Sequence, residues 1–182
     1  MIASFKPGTE PVIAAAADDH PWYALRVKSR CEFAASEALT AKGYTHLAPF
    51  WRSGHASSGR VVQDMDMPLF PGYVFCRFDA ADPQPVLSTP GVVHVLSAGK
   101  KALPLDGREV AAIQAVCESG LRTRPWPFLQ AGRRVVLQRG PLAGADGIVT
   151  ESENELRLVV SLTLLQRSVA TEIDAAWVQS VL

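Results

Sequence analysis

The residue types that ordinarily carry catalysis are present in this chain but scattered. His20, His46, His55 and His94 have no ligand spacing to one another, to cysteine or to acids, so no metal site is expected. Cys31, Cys76 and Cys117 make no CxxC pair and are too few for a disulfide framework. They read as buried structural thiols, as suits a reducing cytoplasm. Asp64 and Asp66 form a D-x-D pair without a partner cluster, weak grounds for a hydrolase or nuclease. Gly140, Gly144 and Gly147 crowd one window, as in a phosphate loop, but no Gly-Lys-Ser/Thr step and no helix follow. The expectation is a protein that is not an enzyme and takes no cofactor. Trp22-Tyr23 and Phe70, Tyr73 and Phe75 are bulky aromatics of the kind that dominate interface energy. Arg26, Lys28 and Arg30 are closely spaced cations able to pair with phosphates or stack on bases.

Each of these groups also has a plain structural reading. A strand alternates its faces, so Tyr73 and Phe75 share one side and Val74 the other, and the aromatics could equally fill a core. The cations could be a solvated face. Charge distribution bears on the second point. The 182 residues hold 18 Lys and Arg against 18 Asp and Glu, a formal charge of zero. Residues 20–60, however, carry six cations (Arg26, Lys28, Arg30, Lys42, Arg52, Arg60) against Glu32 and Glu37, and the rest of the chain is mildly acidic. A local excess of this size is an electrostatic footprint. With 48% hydrophobic and 20% charged residues the composition is that of a soluble globular protein. The longest apolar run, Val12–Ala17, falls far short of the ~18 residues of a membrane span. With Glu10 and Pro11 ahead of it, it also makes a poor leader.

The elements that must position these groups can be read in order. Residues 1–21 lack periodicity and hold Pro7, Gly8, Pro11 and Pro21, so they read as a disordered tail. Trp22–Val27 is a strand by composition. Ser29 and Glu32 form an S-x-x-E capping box opening a helix that Gly43 ends. Tyr44–Trp51 is a second strand, Ser53–Gly59 a loop or hairpin tip, and Arg60–Gln63 a short return strand. Leu69–Phe78 is a central strand beyond its Pro-Gly step. Pro83 and Pro85 allow a short helix, and Val92–Leu96 is another strand. Asp106 and Glu109 start a helix that Gly120 ends. The order β-α-β-β-(α)-β-α predicts an α+β sandwich of ferredoxin-like type over 22–121. Residues 122–130, with Pro125, Trp126 and Pro127, read as a semi-stiff linker. Strands over Arg133–Gln138, Gly147–Thr150, Leu156–Leu162 and Val169–Ile173, with a last piece near Trp177–Val181, predict a small all-β barrel over 131–182. Gly140-Pro141 and Gly144 supply its first tight turn, and Gly147 is expected to adopt a backbone conformation closed to other residues.

Gly132-x-x-Val135-Val136 followed by Gly140-Pro141-Leu142-Ala143-Gly144-Ala145-Asp146-Gly147-Ile148-Val149 resembles the KOW motif of NusG-type transcription factors and several ribosomal proteins. Trp22-Tyr23 and Pro68-Leu69-Phe70-Pro71-Gly72-Tyr73-Val74-Phe75, with Pro90-Gly91-Val92 and the 106–120 helix in order, resemble the N-terminal (NGN) domain of the same family. The ending Leu164-Leu165-Gln166-Arg167-Ser168-Val169, with Glu172-Ile173-Asp174, looks most like the specialised paralogues that serve long polysaccharide operons. The resemblance covers roughly residues 22–182. It implies a transcription elongation or antitermination factor whose NGN domain docks an apolar hollow on the clamp helices of the RNA polymerase β′ subunit. Phe70, Tyr73 and Phe75 match the aromatic positions of that hollow, with Trp22 and Tyr23 beside them. Arg26, Lys28 and Arg30 match an edge that faces the non-template DNA strand. Leu164, Leu165 and Arg167 match a barrel loop that takes a small-subunit ribosomal protein or the Rho terminator. The resemblance also admits a housekeeping NusG that assists Rho. A third reading is a KOW-type ribosome- or RNA-binding module without polymerase contact.

Overall fold

The computed structural model describes residues 20–53, 56–57, 60–61, 65–128, 133–152 and 155–178. Most of the expected tail thus lies outside the described residues, as do His55, Asp64, Gly132, much of the expected Ser53–Gly59 loop, the end of the expected Arg60–Gln63 strand, the end of the linker and the end of the last strand piece. The elements run β1 (Trp22–Val27), α1 (Glu32–Ala41), β2 (His46–Leu47), β3 (Phe50–Ser53), β4 (Ala56–Ser57), β5 (Arg60–Val61), β6 (Met65–Pro68), β7 (Tyr73–Arg77), α2 (Gln84–Leu87) and β8 (Val92–Val95). Then come β9 (Ser97–Ala98), β10 (Lys101–Ala102), α3 (Gly107–Glu118), β11 (Thr123–Trp126), β12 (Arg133–Val136), β13 (Asp146–Ser152), β14 (Glu155–Leu162) and β15 (Arg167–Glu172). Contacts divide the described residues into two units, one drawn from 20–49 and 70–107, the other from 50–69 and 108–178.

The first unit is built on an antiparallel sheet of order β2-β7-β1-β8. With α1 and α2 as its connections, this is the ferredoxin-like arrangement that the element order predicted. β1 and β7 are the central strands, registered from Trp22 opposite Arg77 to Arg26 opposite Tyr73. Ala24, Leu25, Val74, Phe75 and Cys76 are fully buried, so the middle of the sheet is covered on both faces. Helix α1 buries Glu32, Ala35, Ser36 and Leu39, an i, i+3, i+4, i+7 stripe in which two positions are polar. Ser36 lies 2.7 Å from His46 Nε2, and His46 Nδ1 is 3.0 Å from the Tyr44 carbonyl. The tautomer that donates from Nδ1 to Tyr44 leaves Nε2 to accept from the Ser36 hydroxyl. The expected strand over Tyr44–Trp51 is in fact two, because Pro49 has no N–H to continue a ladder. β2 pairs with β7, and β3 pairs with β6 instead.

In the second unit, β3 and β6 form a hairpin arm with β4 and β5 paired further out. Helix α3 buries Val110, Ala112, Ile113 and Val116. An antiparallel sheet of order β11-β15-β14-β13-β12 encloses Val135, Leu158, Val160, Leu162, Val169 and Thr171 on one side. The chain closes on it through a Leu137–Val178 bridge and a Gln138 N–H to Trp177 carbonyl bond. Residues 123–126, expected in the linker, are the edge strand β11. Trp126 supplies the reason, since its ring lies 5.1 Å from the Arg124 guanidinium and 5.2 Å from that of buried Arg157. Gly147 also departs from expectation. It is not required for an unusual φ; a Cβ there would lie 2.8 Å from the Val159 carbonyl oxygen and 2.9 Å from Leu158 Cδ1. Space, not conformation, demands glycine.

Burial lowers the His46 pKa below its ordinary 6.5, against a smaller raising effect of the Tyr44 carbonyl. A depressed histidine favours folding while neutral, so its contribution is full above about pH 6.5 and declines as the pH falls below that value, where the unfolded chain takes the proton first. Urea midpoints of the wild type should therefore fall more between pH 7.5 and pH 5 than those of His46→Gln. Parallel pH profiles would refute this.

Candidate binding site

The Pro71-Gly72 step before β7 is where the expected aromatic and cationic groups meet. Gly72 turns the chain with φ +82° and is itself buried. Its carbonyl accepts from the Val27 N–H at 2.9 Å and from Arg26 Nη1 at 3.4 Å. Its N–H donates to Glu32 Oε1 at 2.8 Å. The Arg26 guanidinium also lies over the Tyr73 ring, 5.0 Å from its centroid. A Cβ at position 72 would fall 2.2 Å from Arg26 Nη1, so the absence of a side chain is what lets the guanidinium in.

Glu32 therefore does not complete a capping box. Helix α1 begins at Glu32 with Cys31 as its N-cap, and no side chain caps it. The local pattern was outweighed because the buried stripe turns Glu32 inward, where a buried carboxylate needs donors and the Gly72 N–H is one. Its place in the i, i+3, i+4, i+7 series was the signal that could have found it.

The five aromatics separate by exposure. Phe70 and Phe75 are core, 1% and 0% exposed, and meet edge to face at 5.3 Å between centroids. Trp22 and Tyr23 are buried as well; Trp22 lies under Arg77, and Tyr23 packs on Phe78. Tyr73 alone of the five is partly exposed. In this conformation four of the expected contact residues are buried and one reaches the surface.

The cations separate in the same way. Arg26 is partly buried against Tyr73. Lys42 is drawn to the end of α2, where its Nζ donates to the Pro85 carbonyl at 2.7 Å and to Ser88 Oγ and Thr89 Oγ1 at 3.0 Å each. Lys28 and Arg30 are exposed on the turn joining β1 to α1, which the Cys31 N–H to Lys28 carbonyl bond closes at 3.0 Å. Arg30 holds φ +64°, a region that glycine or asparagine normally takes.

In the barrel, Thr163–Leu165 is one tight turn between β14 and β15, ended by Gln166 at φ +52°. Leu162 points into the interior and Leu164 is 37% exposed, while Leu165 and Arg167 are partly exposed. Thr163 donates from its N–H and hydroxyl to the Glu109 carboxylate, at 3.0 and 2.5 Å. Gly140 and Pro141 turn the chain between β12 and β13, with Trp177 packed over Gly140 and the Gly144 N–H bonded to the Leu137 carbonyl at 2.7 Å. Burial and the neighbouring Glu118 push the Cys117 thiol up to about 12, which keeps it protonated.

Comparison with known proteins agrees with this architecture. The family described as Transcription termination factor nusG matches residues 20–114. The chain is 32% identical over 119 residues to the Transcription termination/antitermination protein NusG of Thermus thermophilus, covering 58% of this chain and 64% of that relative. It is 24% identical over 173 residues to the protein of the same name from Helicobacter pylori, covering 88% and 98%. The solved structure described as Domain interaction in Thermotoga maritima NusG aligns with a TM-score of 0.50 and 20% identity, covering 92% of this chain and all of that one.

Two substitutions on this surface should differ in their effect on stability. Gly72→Ala forces a Cβ into a left-handed turn and displaces Arg26, so urea unfolding should show a loss of about 2 kcal/mol. Arg30→Gly removes a strained φ and should cost nothing or add up to about 1 kcal/mol. A marked loss for Arg30→Gly would mean that its side chain stabilises the turn.

Proposed function

We propose, from the premise that this chain belongs to the NusG family, that it is a transcription termination/antitermination factor working by binding and not by catalysis. The first unit docks on the clamp helices of the RNA polymerase β′ subunit and disfavours pausing or termination. The observation that carries this reading is Tyr73, the one partly exposed ring among the five expected aromatics, held by Arg26. An anchored ring of this kind suits a hot spot, because little side-chain freedom is lost on docking. Phe70, Phe75, Trp22 and Tyr23 are buried in the fold that carries it. Lys28 and Arg30, exposed on the adjoining turn, meet the non-template DNA strand of the transcription bubble. The barrel turn carrying Leu164, Leu165 and Arg167 takes a second protein, a small-subunit ribosomal protein or Rho.

Purified core RNA polymerase should bind the chain, and Tyr73→Ala should weaken binding about 30-fold. Failure of the wild type to bind overturns the reading, and ribosome binding in its place would favour the KOW-module alternative. Lys28→Ala with Arg30→Ala should weaken association with an open-bubble complex and flatten its log–log salt dependence by about 0.7 per lost phosphate contact. Increased read-through of a Rho-dependent terminator assigns the specialised antiterminator role, and enhanced termination the housekeeping one.

A further inference from the structure

We infer that Glu32 is a positioning residue for Tyr73, acting through the Gly72 peptide. This rests on the polymerase-docking reading and deepens it. The three contacts on Gly72 come from different parts of the fold. Glu32, on the first turn of α1, fixes the N–H at 2.8 Å. Val27 and Arg26, at the end of β1, fix the carbonyl at 2.9 and 3.4 Å. An anion thus holds the donor end of one residue and a cation its acceptor end, and the next residue along the chain is Tyr73. The same guanidinium that touches the Gly72 carbonyl lies 5.0 Å from the Tyr73 centroid. Moving the turn therefore moves the ring's backbone anchor and its stacking partner together. Glu32 is 5% exposed and cannot meet a macromolecular partner itself. Its influence on binding has to pass through Gly72.

Removal of the carboxylate frees the Gly72 N–H, whereas Glu32→Gln keeps a side-chain oxygen in reach of it. The test uses the full chain labelled with nitrogen-15, Glu32→Ala and Glu32→Gln, Tyr73→Ala and the Glu32→Ala/Tyr73→Ala double variant, with purified core RNA polymerase as the probe. In the free protein, Glu32→Ala should raise the Gly72 amide exchange rate at least tenfold and shift the Tyr73 ring resonances, with Glu32→Gln close to wild type. Polymerase affinity should fall about tenfold for Glu32→Ala and be largely restored by Glu32→Gln. In the double variant, loss of Glu32 should add nothing to the loss of Tyr73, because both act through one contact. Unchanged Gly72 exchange and Tyr73 resonances in Glu32→Ala overturn the inference whatever the polymerase data show. Additive losses overturn it as well. If Tyr73→Ala binds polymerase as well as wild type, the docking reading fails, and the free-protein signals still decide whether Glu32 sets the turn. Should Glu32→Ala not fold, Glu32→Asp withdraws the carboxylate by one methylene and must release the Gly72 amide in the same assay, or the inference is refuted.

Discussion

The surface of the first unit depends on one peptide unit that cannot satisfy itself. Gly72 sits in a left-handed turn between a buried phenylalanine and a central strand, where neither its N–H nor its carbonyl can rely on water. A buried amide left unpaired costs about 1–3 kcal/mol. The fold meets that demand with charged side chains and with the backbone of β1. Everything nearby follows from the arrangement. Glu32 must face inward, so α1 starts where it does. Arg26 must lie flat across the turn, so it covers Tyr73 and is less available to solvent. Residue 72 must be glycine, for φ and for the room a guanidinium occupies.

The basic segment shows how a charge count and a charge distribution in space differ. Among its described side chains, Lys42 and Arg26 are tied to the fold, one at the surface on the end of α2 and one on the Gly72 turn. Lys28 and Arg30 are held outward by a turn that is itself strained at Arg30. Strain at an exposed cation is uncommon.

Much of the architecture was legible because local and global signals agreed. The β-rich run Tyr73–Arg77, the proline-limited helix Gln84–Leu87 and the helix stop at Gly43 each follow from backbone chemistry alone. The errors arose where a tertiary partner overrode a local one. Glu32 resembled a cap until the Gly72 amide was placed beside it. Thr123–Trp126 resembled a tether because its proline masks a strand that is held by stacking on Arg157. The aromatic positions were visible as a group, but their separation into buried and exposed depended on which face of β7 and which side of the turn were covered. Alternation along one strand could not supply that when both faces of the sheet centre are buried.

The placement of Pro125 has a consequence for the barrel's behaviour in a crowded cell. β11 is the outermost strand of its sheet, and an outermost strand with free amides invites another chain to pair with it. Here that margin carries an imino acid with no amide to offer, beside exposed Arg124. A second copy laid alongside would find an interrupted row of donors and a like charge opposite its own. The same four residues that extend the sheet by one strand thus end its growth at that edge.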